Sequence, residues 1–112
     1  MRILFLNGSF SWDGKNYDNG MICLCHVHME DNEQTIIEAT KRIISRRKEK
    51  SQKIILVPFS GLDSREKTMD CESAGTLLNK LKRRVPNVVS VPFGFDNLCL
   101  NTTDRSVGFN EI

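Results

Sequence analysis

The 112-residue chain lacks several features that would assign it to a class at once. No apolar run is long enough to cross a membrane, because each is broken within about eight residues. The N-terminal apolar residues meet Asn7-Gly8-Ser9 too early to form the apolar region of a signal peptide. The chain contains neither a Gly-x-Gly-x-x-Gly nor a Walker A segment, so these two routes to nucleotide binding are unsupported. A net charge of +2 is too small to indicate nucleic-acid binding by itself.

What is present is typical of one ordinary globular unit. The length is near the commonest domain size and suffices for a core without disulfides, so residues 1–112 are expected to form a single domain. Four cysteines without a secretory segment indicate reduced thiols, and therefore a cytoplasmic protein.

Two similar segments organise the chain. Leu56-Val57-Pro58-Phe59-Ser60-Gly61 and the segment from Ser90 to Asn97 are each a short apolar run that ends in Pro-Phe and then small or polar residues. This pattern is typical of strands that end in loops. A helical segment separates them, so both loops are expected at the same end of one sheet, where exposed backbone groups can contact a ligand. The alternative is that Pro-Phe only ends two strands and buries two rings.

The periodicity predicts the order β-β-α-β-α-β-β. Strands are expected over 2–7, 21–28, 53–57, 88–91 and 97–102, with helices from about 33 to 48 and from 71 to 84. Residues 8–20 are expected to form a loop or ragged hairpin. Trp12 and Tyr17 are expected to attach it to the body, and the alternative is that they stack on a ligand. Each helix has one apolar stripe, so the fold class is α/β, a two-layer sandwich of a mixed sheet of about five strands with two helices.

The first helix carries a capping signal and an apolar stripe. Asp31 is expected to cap it, with Gln34 in capping-box spacing. The expected buried stripe is Ile36, Ile37, Thr40, Ile43 and Ile44, and that of the second helix is Ala74, Leu77, Leu78 and Leu81.

The segment from Cys23 to His28 contains residue types that bind zinc. On a strand, however, the side chains of Cys23 and Cys25 face one way and those of His26 and His28 the other. Buried thiols with no metal are therefore favoured, unless Cys71 or Cys99 lies nearby in space. No motif around any cysteine supports a nucleophilic triad.

Basic residues gather at both helix ends. They complement the helix dipole, or they form a surface for a phosphate backbone. They are Lys41, Arg42, Arg46, Arg47, Lys48, Lys50 and Lys53 in one cluster, and Lys80, Lys82, Arg83 and Arg84 in the other.

Four segments taken together resemble a known family. They are Met1-Arg2-Ile3-Leu4-Phe5-Leu6, Ile54-Ile55-Leu56-Val57-Pro58-Phe59-Ser60, Leu77-Leu78-Asn79-Lys80 and Val91-Pro92-Phe93-Gly94-Phe95. In this order they are similar to the archaeal-type N-terminal editing domain of threonyl-tRNA synthetase, which shares the D-aminoacyl-tRNA deacylase fold. The resemblance is strongest from Lys53 to Asn97.

The resemblance implies an activity and a site. The family hydrolyses the ester of serine mischarged onto threonine tRNA, in a pocket of backbone groups where the terminal ribose hydroxyl of the tRNA assists water. Main-chain groups of Ser60 and Phe93 would hold the amino acid. The other substrate-binding positions carried over are Asn7, Ser9, Gly61, Gly94 and Phe95, and the RNA-binding positions are Lys80, Lys82, Arg83 and Arg84.

The chain departs from the family at its charged positions. The family's histidine falls on Gly61, and its tyrosine–lysine pair falls on Asp96 and Asn97, which become the catalytic candidates. Glu111 is the nearest candidate for the family's tail acid. Asn97 donates a hydrogen bond but carries no charge for an oxyanion.

These departures leave two functions open. The chain is an aminoacyl-tRNA deacylase, free-standing or excised from a synthetase, or a non-catalytic module that binds RNA, an amino acid or a protein. The resemblance implies no metal and no nucleotide cofactor. The implied partners are the aminoacylated 3′ end of a tRNA, a second copy of the chain in a homodimer and a threonyl-tRNA synthetase.

Overall fold

The computed structural model describes residues 1–94, 98–102 and 108–112. The strands are β1 (Arg2–Trp12), β2 (Lys15–His26), β3 (Ile54–Pro58), β4 (Val88–Ser90), β5 (Cys99–Thr102) and β6 (Gly108–Glu111), and the helices are α1 (Glu33–Arg46) and α2 (Cys71–Arg84). A single 3-10 turn, Arg65–Lys67, lies between β3 and α2.

A long antiparallel hairpin forms the centre of the sheet. β1 and β2 pair from Arg2 with His26 out to Trp12 with Lys15, so only Asp13 and Gly14 form the turn. Both have positive φ, of 53° and 74°, as a two-residue hairpin turn requires. Residues 8–20 therefore form the hairpin alternative of the prediction, as an extension of both strands with one register shift between Gly8 and Phe10. Trp12 and Tyr17 pack against the body as predicted, and the Tyr17 ring stacks on Phe10.

The sheet is mixed and has the strand order β4-β3-β2-β1-β5, with β6 also paired to β1. β2, β3 and β4 run parallel, and α1 and α2 are the crossovers between them. This confirms the predicted two-layer α/β architecture. The short strand β6 was not predicted, because its sequence is polar and lacks strand alternation.

The main core lies between the sheet and the two helices. Met21, Cys23, Cys25 and Val27 all face it, as the alternation along β2 predicted. The predicted stripe of α2 is also buried in it. A second cluster, which includes Ile22, Ile55 and Val91, lies on the other face of the sheet.

Two details of α1 differ from the prediction. Its N-cap is Asn32, whose side chain accepts from the backbone of Gln34 and Thr35, and Thr35 completes the capping box. The Asp31 carboxylate instead accepts hydrogen bonds from the backbone N–H of His28 and from the amino group of Met1. Ile44 is 40% exposed, and the fully buried residues of α1 are Ile36, Ala39 and Ile43, whereas Ile37 and Thr40 are partly buried.

Candidate functional site

The carboxyl ends of the parallel strands form one edge of the sheet, and a cavity of about 350 Å³ opens there. Since α2 follows β3 through a loop, the first residue of this helix also reaches that edge. The described residues that line the cavity are Cys25, His26, Val27, Phe59, Ser60, Arg65, Thr68, Met69, Cys71, Ala74 and Phe93. We call this cavity the edge pocket.

Both Pro-Phe segments contribute to the edge pocket. Phe59 follows β3 and Phe93 follows β4, and each ring is partly exposed, at 40% and 36%. The backbone N–H of Phe59 donates to the Cys25 carbonyl, which fixes the first loop to the end of β2. The prediction that the two loops meet at one end of the sheet is confirmed, and the alternative of two buried rings is wrong.

Glycines allow the two rings to take these positions. A Cβ at Gly61 would lie 2.8 Å from the Phe59 ring, so the ring occupies the space of a side chain at that position. Gly94 has a φ of 74°, which lets the chain turn directly after Phe93. The observed position of the Phe59 ring therefore requires glycine at position 61.

His26 connects the pocket to the loop that follows β3. Its Nδ1 accepts from the backbone N–H of Leu62 at 3.2 Å, and its Nε2 lies 2.8 Å from Thr68 Oγ1. The Thr68 hydroxyl donates to the Ser64 carbonyl, so it accepts from His26 Nε2–H. These partners assign a neutral ring. Burial lowers the pKa of His26, with a further contribution from His28.

A polar cluster lies beside the pocket, with its histidine ring 5.3 Å from the ring of His26. His28 Nε2 lies 3.0 Å from Asp63 Oδ2, although the two are not aligned as a hydrogen bond. His28, Asp63 and Glu111 are the only described group whose ligand atoms could share a metal ion. Arg2 already contacts the Glu111 carboxylate and lies 3.8 Å from Asp63. The hydrogen bond from the Ser64 backbone N–H is the main cause that lowers the pKa of Asp63. The positive charge of Arg2 lowers this pKa further.

The zinc hypothesis for the Cys-His strand finds no support in this geometry. Cys23 and Cys25 are buried in the main core, and no cysteine belongs to the metal-ligand group found among the described residues. Burial raises the pKa of Cys25 to about 12 and that of Cys23 well above its usual value. Both thiols are therefore protonated at neutral pH and are poor ligands and nucleophiles.

The structure brings together only some of the residues predicted for the site. Ser60 and Phe93 line the edge pocket, and Gly61 and Gly94 lie next to its two rings. Phe95, Asp96 and Asn97 lie outside the described residues.

Asn7 and Ser9 lie toward the opposite end of the sheet. Asn7 pairs with Met21, which is level with the first residue of β3, whereas the pocket lies beyond the last. Four residues of strand, about 13 Å, separate these levels. Ser9 lines a separate groove with Phe10 and Tyr17.

The basic clusters also lie away from the pocket. α2 begins at the pocket and runs away from it, so Lys80, Lys82, Arg83 and Arg84 lie toward its far end. Lys80 forms an ion pair with Glu33 of α1.

Sequence reasoning missed Arg65, Thr68 and Cys71 as pocket residues. They belong to a polar segment with no periodicity, and only the path of the loop around His26 brings them to the strand ends. Cys71 was correctly predicted as the first residue of α2, whose cap is Asp70 accepting from the Ser73 backbone, but its place in the pocket was not predicted.

Comparison with known proteins identifies the fold. No protein-family model matches the chain, and no curated protein sequence matches it. Among solved structures it is similar to a c-Myc DNA Unwinding Element Binding Protein, with a TM-score of 0.73 and 14% identity over 100% of this chain and 99% of that one. The chain has a D-aminoacyl-tRNA deacylase-like fold. At this identity the likeness concerns the fold alone. In the described part of this fold, no helix is long and apolar enough to span a bilayer.

Proposed function

We propose that the chain hydrolyses the ester of a mischarged aminoacyl-tRNA, with Ser-tRNA(Thr) as the first substrate to test. The observation that carries this proposal is the meeting of both Pro-Phe loops at one pocket, in a deacylase-like fold. The segments that resemble the threonyl-tRNA synthetase editing domain supply the residues of those loops. The cavity has about the volume expected for a small-molecule site.

The chemistry would rest on the backbone and on the RNA. No described residue that lines the edge pocket is a carboxylate, and His26 is neutral with both ring nitrogens engaged. A protein side chain acting as general base is therefore missing from the described lining. Main-chain groups of Ser60 and Phe93 would hold the amino acid, and the terminal ribose hydroxyl would assist water. Asp96 and Asn97 remain proposed catalytic residues from the resemblance.

The basic far end of α2 is proposed to contact the body of the tRNA. Lys82, Arg83 and Arg84 are exposed and supply positive charge for phosphates. A homodimer is also proposed, through pairing of strand edges between two copies of the chain. A threonyl-tRNA synthetase is the proposed protein partner if the chain acts beside one.

The test is deacylation of Ser-tRNA(Thr), Thr-tRNA(Thr) and a D-aminoacyl-tRNA, each compared with buffer. A Cys71→Trp variant would fill the pocket from the first turn of α2, and Glu72→Trp places the same ring on the next residue, which does not line it. Selective loss of the serine ester, abolished by Cys71→Trp and retained by Glu72→Trp, would support editing. Selective loss of the D-ester would indicate D-aminoacyl-tRNA deacylation instead.

The second candidate is a binding module without turnover. It is favoured by Gly61, which stands where the editing family has histidine, and by the solved relative whose name describes DNA binding. Retained tRNA binding with no hydrolysis of any ester would establish this function and refute the enzymatic one. Failure of both binding and hydrolysis would refute both.

A further inference from the structure

Arg65 is the only charged side chain among the described residues that line the edge pocket. It is exposed, and it forms no ion pair with any described residue. The cavity around it is otherwise formed by aromatic, aliphatic and small polar groups. The guanidinium therefore has no counter-charge among the described residues and is available to an anion that enters the cavity.

The backbone of Arg65 is held in place by the His26 network. Arg65 begins the 3-10 turn, and its carbonyl accepts from the Thr68 backbone N–H at 3.1 Å. The Thr68 hydroxyl is bonded to both His26 and the Ser64 carbonyl. The turn is also tied to the chain after β2, because the Lys67 carbonyl accepts from the Met29 N–H. The Arg65 side chain therefore starts from a fixed point at the pocket wall.

The two aromatic rings in the same pocket identify the kind of anion. Partly exposed rings that line a cavity are typical platforms for unpaired bases. A guanidinium beside a base platform suits a phosphodiester, which it can bind through two parallel hydrogen bonds. In an aminoacyl ester the carboxyl group is esterified and neutral and the amino group is cationic. The phosphodiester is then the only anion near the reacting bond.

We propose that Arg65 binds the last phosphodiester of the RNA 3′ end in the edge pocket and thereby positions the terminal nucleotide between the pocket walls. This inference rests on the proposed function for the identity of the RNA. It assigns a role to a residue outside the four segments that resemble the editing family. It also gives the pocket a positive charge, which no other described lining residue supplies.

The test measures binding of the trinucleotide CCA and of the same trinucleotide with an uncharged methylphosphonate at its last linkage. The full chain is expected to bind the charged form about tenfold more tightly. Arg65→Gln should abolish this preference, and Arg65→Lys should restore only part of it because lysine lacks the planar fork. Lys67→Gln is the matched control, since it removes one exposed charge from the same turn but not from the pocket lining.

The outcomes separate this inference from the proposed function. Ester hydrolysis by a protein that binds both trinucleotides equally well overturns the role of Arg65 and leaves the deacylase function intact. A preference for the charged linkage that Arg65→Gln abolishes, in a protein that hydrolyses no ester, supports Arg65 and overturns the deacylase. Failure to bind either trinucleotide overturns the role of Arg65, as does an equal effect of Lys67→Gln.

Discussion

At the scale of single residues, His26 makes the pocket loop sensitive to pH. The neutral ring accepts from Leu62, and burial lowers its pKa in the folded protein. The unfolded chain therefore binds more protons below the ordinary histidine pKa of about 6.5. The stability supplied by the neutral ring is fully present above the ordinary histidine pKa. It is lost as the pH falls through the lowered pKa of His26 in the folded protein.

We expect the free energy of unfolding to fall between pH 7.5 and pH 5.5, and to fall less in His26→Gln, which has no proton to gain. Guanidinium unfolding at both pH values measures this difference. The lowered carboxylate pKa values, such as that of Asp63, affect stability only at lower pH and do not interfere. An equal loss in both proteins would show that His26 is not the group responsible.

Gly61 offers a second test at the same scale. A methyl group there would lie 2.8 Å from the Phe59 ring, which is too close for both to stay in place. The ring is the end of a flexible side chain, so it is the group that moves. Gly61→Ala is expected to weaken trinucleotide binding several-fold with little change in thermal stability. In Gly75→Ala the new Cβ would lie 3.9 Å from the Phe93 ring, an ordinary contact, so binding should be retained. Equal binding by both variants would show that the position of the Phe59 ring does not determine ligand affinity.

At the scale of elements, the start of α1 shows how a tertiary contact changes a local signal. Asp31 and Gln34 have the spacing of a capping box, but Asp31 accepts from His28 and Met1, so Asn32 becomes the cap. Asn32→Ala should lower the free energy of unfolding by about 1 kcal/mol. Gln34→Ala removes only an exposed contact with Glu38 and should cost less than half of that. Denaturant titration measures both, and a larger cost for Gln34→Ala would contradict the assignment.

The regular elements could be predicted because local periodicity and burial agree in them. The stripe of α2 and the alternation along β2 match the observed core. The two Pro-Phe loops could be placed together because parallel strands must end at one edge. By contrast, Arg65 reaches the pocket through hydrogen bonds to His26 from a loop about 40 residues further along the chain, and no pattern within that loop records such bonds.

At the scale of the whole molecule, the pocket and the proposed RNA-binding residues lie at opposite ends of α2. This helix has 14 residues, so about 20 Å separate Cys71 from Arg84. A trinucleotide seated in the pocket extends less far along α2 than a whole tRNA does, so contacts at the far end of α2 belong chiefly to the longer RNA. The two ends should therefore respond differently to the length of the RNA.

Replacement of Lys82, Arg83 and Arg84 by glutamine is expected to weaken binding of the full tRNA and to leave the trinucleotide affinity unchanged. Three lost phosphate contacts should reduce the slope of log affinity against log salt concentration by about two to three. Lys15→Gln, at the first residue of β2, removes one charge away from α2 and shows how much a lost charge weakens binding without a local contact. The triple variant could instead weaken binding of the trinucleotide as much as binding of the tRNA. Because both ligands would then lose the same interaction, the three charges would act on the pocket and not through a separate contact with the tRNA.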